Sequence, residues 1–249
     1  MRAILLASAA VLATIATPAA ARNGAWYVGG DFGGMIVEDI DFDIGTLDNA
    51  VKVRPDDLGF DGSLFVGYDL GTFRLEAEVA YKTADLDRFS TEIFLPSSEG
   101  LHPPGTHDAR GSTSALSFMI NGLLDFGDDD GVSGFVGGGV GVARVDYNNV
   151  RASVNNGVFL DDSDTRFAWQ IVAGLRQAVS TNVDVTLRYR FFDVGGVDLR
   201  GFDSDDHFRG RFQSHSLLGG ITYNFGAPPP PPRLGLCSSA LPDPAPIVA

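Results

Sequence analysis

The chain has 249 residues with 32 acids against 18 bases, a formal charge of −14, 31 glycines and a single cysteine. That acidity excludes the basic face by which nucleic-acid-binding proteins are recognised, and lone Cys237 excludes an intramolecular disulfide framework or a cysteine zinc site. Glycine is well above the ~7% of average proteins yet follows no Gly-X-Y period, which excludes collagen and points to close packing or bends inside strands.

The N-terminus carries Arg2, an apolar run from Ile4 to Ile15, Pro18 and then Ala19-Ala20-Ala21, the layout of a secretory signal with a small-residue cleavage site. Residues 1–21 are therefore expected to be removed after Ala21 and the remainder exported. The run is shorter than the ~20 residues a spanning helix needs. Past it no apolar stretch reaches ~18 residues, so a membrane role requires a closed barrel, because lipid tolerates no unpaired backbone.

Ala25 to Val37 alternates Trp26, Val28, Phe32 and Ile36 against Tyr27, Asp31 and Met35, the period of two of a strand. An acidic segment, 38–57, follows. Leu58 to Leu70 sets Leu58, Phe60, Leu64, Val66, Tyr68 and Leu70 against Asp61, Ser63 and Asp69, and only Gly71-Thr72 separates it from the next strand. That strand, Phe73 to Lys82, alternates most strictly: Phe73, Leu75, Ala77, Val79 and Tyr81 against Arg74, Glu76, Glu78, Ala80 and Lys82.

Residues 83–111 hold Pro96, Pro103 and Pro104 and are expected as a long loop. Leu116 to Phe126 is a strand, 127–131 a tight polar turn, and Val132 to Val145 a glycine-rich strand whose facing stays open, since Phe135 and Val136 compete for one side. Residues 146–164 form another polar loop. Arg166 to Ala178 and Val183 to Phe191 are strands joined by a short turn, 193–210 is a fourth long loop, and Phe212 to Phe225 closes the set.

Eight strands result, with connections running long, short, long, short, long, short, long. Outer-membrane barrels sort their connections in this way, with short periplasmic turns and longer extracellular loops. The expected fold class is all-β, an eight-stranded antiparallel up-and-down transmembrane β-barrel over residues 22–226. Aromatics on the apolar parity near strand ends (Trp26, Phe73, Tyr81, Phe126, Tyr189, Tyr223, Phe225) suit interface girdles. The polar parity carries both signs, so a paired lumen network is expected, built from Arg74, Glu76, Glu78, Lys82, Arg176, Asp184, Arg188 and Arg190 and centred on the two glutamates with the arginines of the sixth and seventh strands. On the lipid face each Lys or Arg would cost about 2–4 kcal/mol at the midplane.

The chain resembles the OmpA-like outer-membrane proteins, in particular their N-terminal barrel. The residues that carry the resemblance are Ala25-Trp26-Tyr27, Gly67-Tyr68-Asp69, Leu75-Glu76-Ala77-Glu78, Ala173-Gly174-Leu175-Arg176, Leu187-Arg188-Tyr189 and Tyr223-Asn224-Phe225-Gly226. The resemblance implies insertion by the barrel assembly machinery, which reads a last strand ending in an aromatic; Tyr223 and Phe225 fit. Some family barrels gate the lumen with a strand-three glutamate, which Glu76 matches. The gate's other positions depart from that pattern, with Asn121 on the fourth strand, Thr186 on the seventh and Arg176 on the sixth. The family's usual peptidoglycan-binding domain is not expected, since Ala227 and Pro228 to Pro232 are followed only by Arg233 to Ala249; residues 227–249 read as a proline-rich linker and short tail.

Catalytic, cofactor and metal sites are not expected. His102, His107, His207 and His215 have Ser97, Ser98, Ser112 and Ser214 nearby in sequence, but no motif fixes a nucleophile beside a base. Asp39, Asp41 and Asp43 begin like a calcium loop, yet Ile44 stands where the glycine belongs and Ala50 where the bidentate Glu belongs. The sequence supports a monomeric structural protein of the outer membrane that contacts membrane lipid, displays four acidic loops and leaves room for a narrow pore. The alternatives are a soluble periplasmic ligand-binding barrel and a lipid-modifying barrel enzyme.

Overall fold

The computed structural model describes residues 24–44, 47–55, 58–127, 131–152, 157–201 and 207–225. The expected signal peptide, the segment 227–249 and Cys237 lie outside them. Twelve strands are described: β1 (Ala25–Val37), β2 (Ile40–Ile44), β3 (Leu47–Pro55), β4 (Gly59–Asp69), β5 (Phe73–Thr91), β6 (Leu95–Ser97), β7 (Gly100–His102), β8 (Gly105–Phe126), β9 (Val132–Ala152), β10 (Val158–Ala178), β11 (Val183–Arg200) and β12 (His207–Phe225).

Eight of them close an antiparallel ring in the order β1, β4, β5, β8, β9, β10, β11, β12 and back to β1. The lower end is set by Trp26 opposite Phe225 and by the short turns after β4, β8 and β10. The outer face of the lower half is an apolar belt. It includes Trp26, Phe32, Ile36, Leu64, Phe118, Ile120, Val140, Leu175, Leu187, Leu217 and Ile221, all exposed. From Trp26 to Ile36 is ten residue steps, which at ~3.3 Å each and a tilt of about 40° rise roughly 25 Å, the height of a membrane-spanning band.

Above the belt the strands continue, and here the sequence reading falls short. β5 runs to Thr91 where Lys82 was the expected end, β8 starts at Gly105 and not Leu116, and β9, β10, β11 and β12 extend to 152, 158, 200 and 207. The acidic segment 38–57 contains the β2–β3 hairpin. β1 stops at Val37 and β4 begins at Gly59; in their place β2 pairs with β12 (Phe208 with Ile44) and β3 pairs with β5 (Val51 with Thr91). The upper wall therefore also counts eight strands.

Parity is kept through both halves, but the chemistry on it inverts. Along β5 the inward side chains are Arg74, Glu76, Glu78, Ala80 and Lys82, then Ala84, Leu86 and, past a bulge, Phe89; the outward ones are Phe73, Leu75, Ala77, Val79 and Tyr81, then Thr83 and Asp85. The upper lumen is an apolar core that includes Val37, Ile40, Phe42, Val53, Phe89, Val145, Tyr147, Leu160, Phe192, Val194, Leu199, Phe208 and Phe212.

The facing of β9 is settled by glycine. Phe135 points inward and Val136 outward, because Gly137, Gly139 and Gly141 share Phe135's parity. A Cβ on Gly139 would collide with Asn121 Oδ1, and one on Gly141 with the Phe118 carbonyl and, at 2.8 Å, Met119 Sδ. The β8 side chains thus lie over a glycine floor.

Candidate functional site

The lower lumen is filled by side chains that alternate inward from β1, β4, β5, β8, β10, β11 and β12. At its base Arg74 grips Asp125 with Nε at 2.7 Å and Nη2 at 2.9 Å, a bidentate fork. Arg176 lies 3.9 Å from Asp69 and donates to Ser133 Oγ at 3.3 Å, and Asp184 accepts from Asn224 at 3.0 Å.

One layer up, Arg188 reaches Asp31 at 3.1 Å, Glu76 at 3.3 Å and Glu78 at 3.6 Å. Glu76 also accepts from the Tyr27 hydroxyl at 3.2 Å, with Arg74 at 3.9 Å. In the top layer Arg190 donates to both oxygens of Asp61 at 2.9 and 3.0 Å and to Ser63 Oγ at 3.1 Å, and forms an ion pair with Glu78 at 3.1 Å. Asp61 also accepts from Ser216 at 2.7 Å and has Lys82 at 3.6 Å, while Glu78 accepts from Asn121 at 3.1 Å and Gln170 at 3.3 Å. Lys82 Nζ sits 4.1 Å from the Phe192 ring centre, where the charged layers meet the apolar core.

All eight expected network residues are buried in the lumen, at no more than 6% exposure. Arg74, Glu76, Glu78, Lys82, Arg188 and Arg190 connect through Asp61 and one another, while Arg176 meets Asp69 and Asp184 meets Asn224 at the lower rim. The strand-seven base opposite Glu76 is Arg188; Thr186 instead donates to Asp31 at 3.3 Å.

Asp61 and Asp69 were missed as members, although the alternation of β4 places both on the inward parity. Gln170 was missed because a neutral amide leaves no charge signal. Each of the five buried bases has a carboxylate within 4 Å, so the bases of the array act as paired packing.

Above Ala168 and Val194 the β10–β11 ladder ends. Side chains take over the seam: Asp164 accepts the Asp198 N–H at 2.8 Å and Asp162 the Arg200 N–H at 2.9 Å. Burial alone would push the Asp164 carboxyl up, but the Asp198 N–H and the Arg166 guanidinium at 2.6 Å outweigh it and hold it below the ordinary carboxylate range.

The histidines go elsewhere than to serines. His107 meets the Pro103 carbonyl, His207 meets Asp198, and buried His102 packs edge-on against Phe89, its imidazole held below its ordinary pKa by desolvation. His215 lies between Tyr189 and Glu38. Ser97 donates to the Gly100 carbonyl and Ser98 accepts from the Val158 N–H. Asp39 pairs with Lys52 and Arg54, and Asp43 accepts the Asn49 N–H. Tyr223 and Phe225 point outward at the lower rim with their rings edge to face at 5.1 Å.

A model of the outer membrane protein beta-barrel domain matches residues 6–225. Outer membrane protein PagN of Salmonella typhimurium is 26% identical over 183 residues, covering 67% of this chain and 73% of that protein. An uncharacterized protein of Brucella abortus is 24% identical over 166 residues, and the match spans 61% of this chain and little more than half (58%) of that relative. Among solved structures, the outer membrane protein OprG of Pseudomonas aeruginosa superposes with a TM-score of 0.56 at 12% identity, over 82% of this chain and 97% of OprG, a likeness of fold.

Proposed function

The chain belongs to the outer membrane protein beta-barrel domain family, and from that premise we propose that it is a sealed structural barrel carrying a rigid, folded platform above the membrane rather than a pore. One observation supports this: the lumen is blocked twice, by the paired charges of the lower half and by the apolar core of the upper half. Sealed in this way, the barrel passes no steady current. The test is planar-bilayer recording of the refolded protein, where a reproducible open level at any voltage would refute the reading.

In the same reading residues 1–21 direct export and are cleaved, 22–226 make up the barrel domain, and 227–249 are a proline-rich linker and short tail. That end faces the periplasm and the upper barrel faces outward. Tyr223 and Phe225 form the signal for the assembly machinery, and Phe225→Ala lowers the yield of heat-modifiable, membrane-inserted protein. The lumen network of Arg74, Glu76, Glu78, Lys82, Arg188 and Arg190 fixes strand register, with Arg176 and Asp184 holding the lower rim. The protein acts as a monomer in contact with membrane lipid, without enzymatic activity. The four long segments above the belt present an acidic surface, although some acids of the upper wall are paired, as in Arg144 with Asp146 and Arg211 with Asp193. Recovery in the soluble periplasmic fraction would overturn the whole reading.

A further inference from the structure

At the upper edge of the apolar belt three outward side chains form a hydrogen-bonded relay. Tyr189 Oη lies 2.8 Å from His215 Nδ1, and His215 Nε2 lies 2.7 Å from Glu38 Oε1. The phenol, imidazole and carboxylate side chains are all 37–47% exposed. Two hydrogen bonds across one imidazole set the hydroxyl and the carboxylate roughly 7 Å apart.

The relay is embedded in aromatics, with Phe191 5.1 Å from His215 and Trp169 5.4 Å from Phe191. The charged groups around it are few. β11 adds Asp193 and β12 adds Arg211, paired with each other at 2.6 Å; Ile36 is the belt residue below Glu38 on β1, and β10 contributes uncharged Trp169. Asp193 is capped by Gln213 at 2.8 Å, so Tyr189, His215 and Glu38 are the groups open to a ligand.

Below the relay a groove of about 780 Å³ lies across the strands of the belt, from β12 over β1, β4 and β5 to Leu116 on β8. Its floor is Gly30, Gly62 and Gly219 and its sides include Phe32, Leu64 and Ile221. A Cβ on Gly219 would meet nothing within 4 Å, so this end of the floor is open, whereas Leu64 and Phe60 reach over Gly30 and Gly62, 3.0 Å from where a Cβ would stand. From His215 to Gly219 is four strand steps, ~13 Å, within the length of one acyl chain.

We propose that this wall is a binding site for a phosphoethanolamine-bearing lipid, its headgroup held by Tyr189, His215 and Glu38 and one acyl chain lying in the glycine-floored groove. The complementarity is of charge and spacing. The ammonium meets the Glu38 carboxylate. The phosphate meets the other end, where the Tyr189 hydroxyl can turn its proton from His215 Nδ1 to a phosphate oxygen. A purely anionic lipid would leave Glu38 facing a like charge, and a choline headgroup offers Glu38 no N–H donor. The proposal rests on the belt facing lipid.

The chain has two tryptophans, Trp26 and Trp169, so Trp26→Phe leaves Trp169 as a reporter beside the relay. The refolded full chain with this substitution is placed in phosphatidylcholine vesicles carrying a minor share of lipid with brominated chains and either an ethanolamine, a choline or a glycerol headgroup. Brominated phosphatidylethanolamine should quench Trp169 at least about twofold more than the other two, and Glu38→Gln or Tyr189→Phe should abolish the difference while heat-modifiable migration stays unchanged. Equal quenching by all three would overturn the proposal, as would a preference for the glycerol headgroup or a preference that survives both substitutions. Soluble phosphoethanolamine at matched concentration should leave the quenching in place; displacement by it would refute the part played by the groove. Quenching by none of the lipids would instead refute the lipid-facing belt itself.

Discussion

Replacing Arg190 by methionine is the sharpest perturbation of the lumen. Arg190 is fully buried and makes two hydrogen bonds to Asp61, one to Ser63 and an ion pair at 3.1 Å to Glu78. Without it Asp61 keeps Ser216 at 2.7 Å and Lys82 at 3.6 Å, and Glu78 keeps Asn121, Gln170 and Arg188, the last at 3.6 Å. Two carboxylates thus lose their nearest cation in a site closed above by Phe192 and its neighbours. Removing one member of a buried pair costs about 3–5 kcal/mol, whereas the same pair in a solvated channel is worth about 1 kcal/mol or less. Urea unfolding of protein refolded into vesicles, followed by tryptophan fluorescence, separates the two cases. A loss of about 3–5 kcal/mol is expected, and Asp61→Asn in the same chain should make the combined loss smaller than the sum by about 1–3 kcal/mol. A loss under about 1 kcal/mol would refute the account of a dry lumen.

Three other outcomes follow from the same geometry. Phe42→Ala removes a ring packed on Tyr147 at 5.6 Å and Phe208 at 6.1 Å, so the upper barrel should lose about 3–5 kcal/mol and trypsin should cut faster after Lys52 while the belt keeps its heat-modifiable migration; unchanged cleavage would count against an upper core. On β9, Gly139→Ala should fail to refold because its Cβ would strike Asn121, whereas Gly138→Ala, on the outward face with its nearest neighbour 3.3 Å away, should refold, and the reverse result would mean the strand is turned over. Because the Asp164 carboxyl titrates below its unfolded value of about 3.8, the seam's contribution is present above that pH and fades as the pH falls through the lower folded value. Hydrogen exchange at the Asp198 amide, corrected for intrinsic rates, should therefore stay protected at pH 5 to 7 and open on further acidification, and Asp164→Asn should weaken that protection at neutral pH; protection unchanged in the variant would refute the seam.

Where one alternation served one environment, the sequence was readable. Phe73 to Lys82 shows its lipid and lumen faces residue by residue, and the ring of eight follows from counting such segments. The same strand was lost at Thr83, since Asp85, Asp87 and Arg88 are polar enough to pass for a loop while Ala84, Leu86 and Phe89 carry its inner face. A reading tuned to apolar-outward strands stops where polarity changes sides. Individual ion pairs were less legible than the lumen's composition. Arg188 and Arg190 differ by one turn of the pleat, yet one takes Asp31 and Glu76 and the other Asp61, a choice made by the stagger of strands that are not neighbours in the ring.

The inversion of chemistry along a single strand bears on how such a wall finds its alignment. In a uniform barrel a one-residue slip is penalised once, by whatever its misplaced face meets. Here a slip of β5 would put Arg74, Glu76 and Glu78 against hydrocarbon and, in the same movement, Leu86 and Phe89 against water. Neither compartment can be satisfied by an arrangement the other rejects, so the long strands carry two independent checks on one alignment. A misaligned chain stalls with both ends wrong, leaving no half-correct barrel to trap.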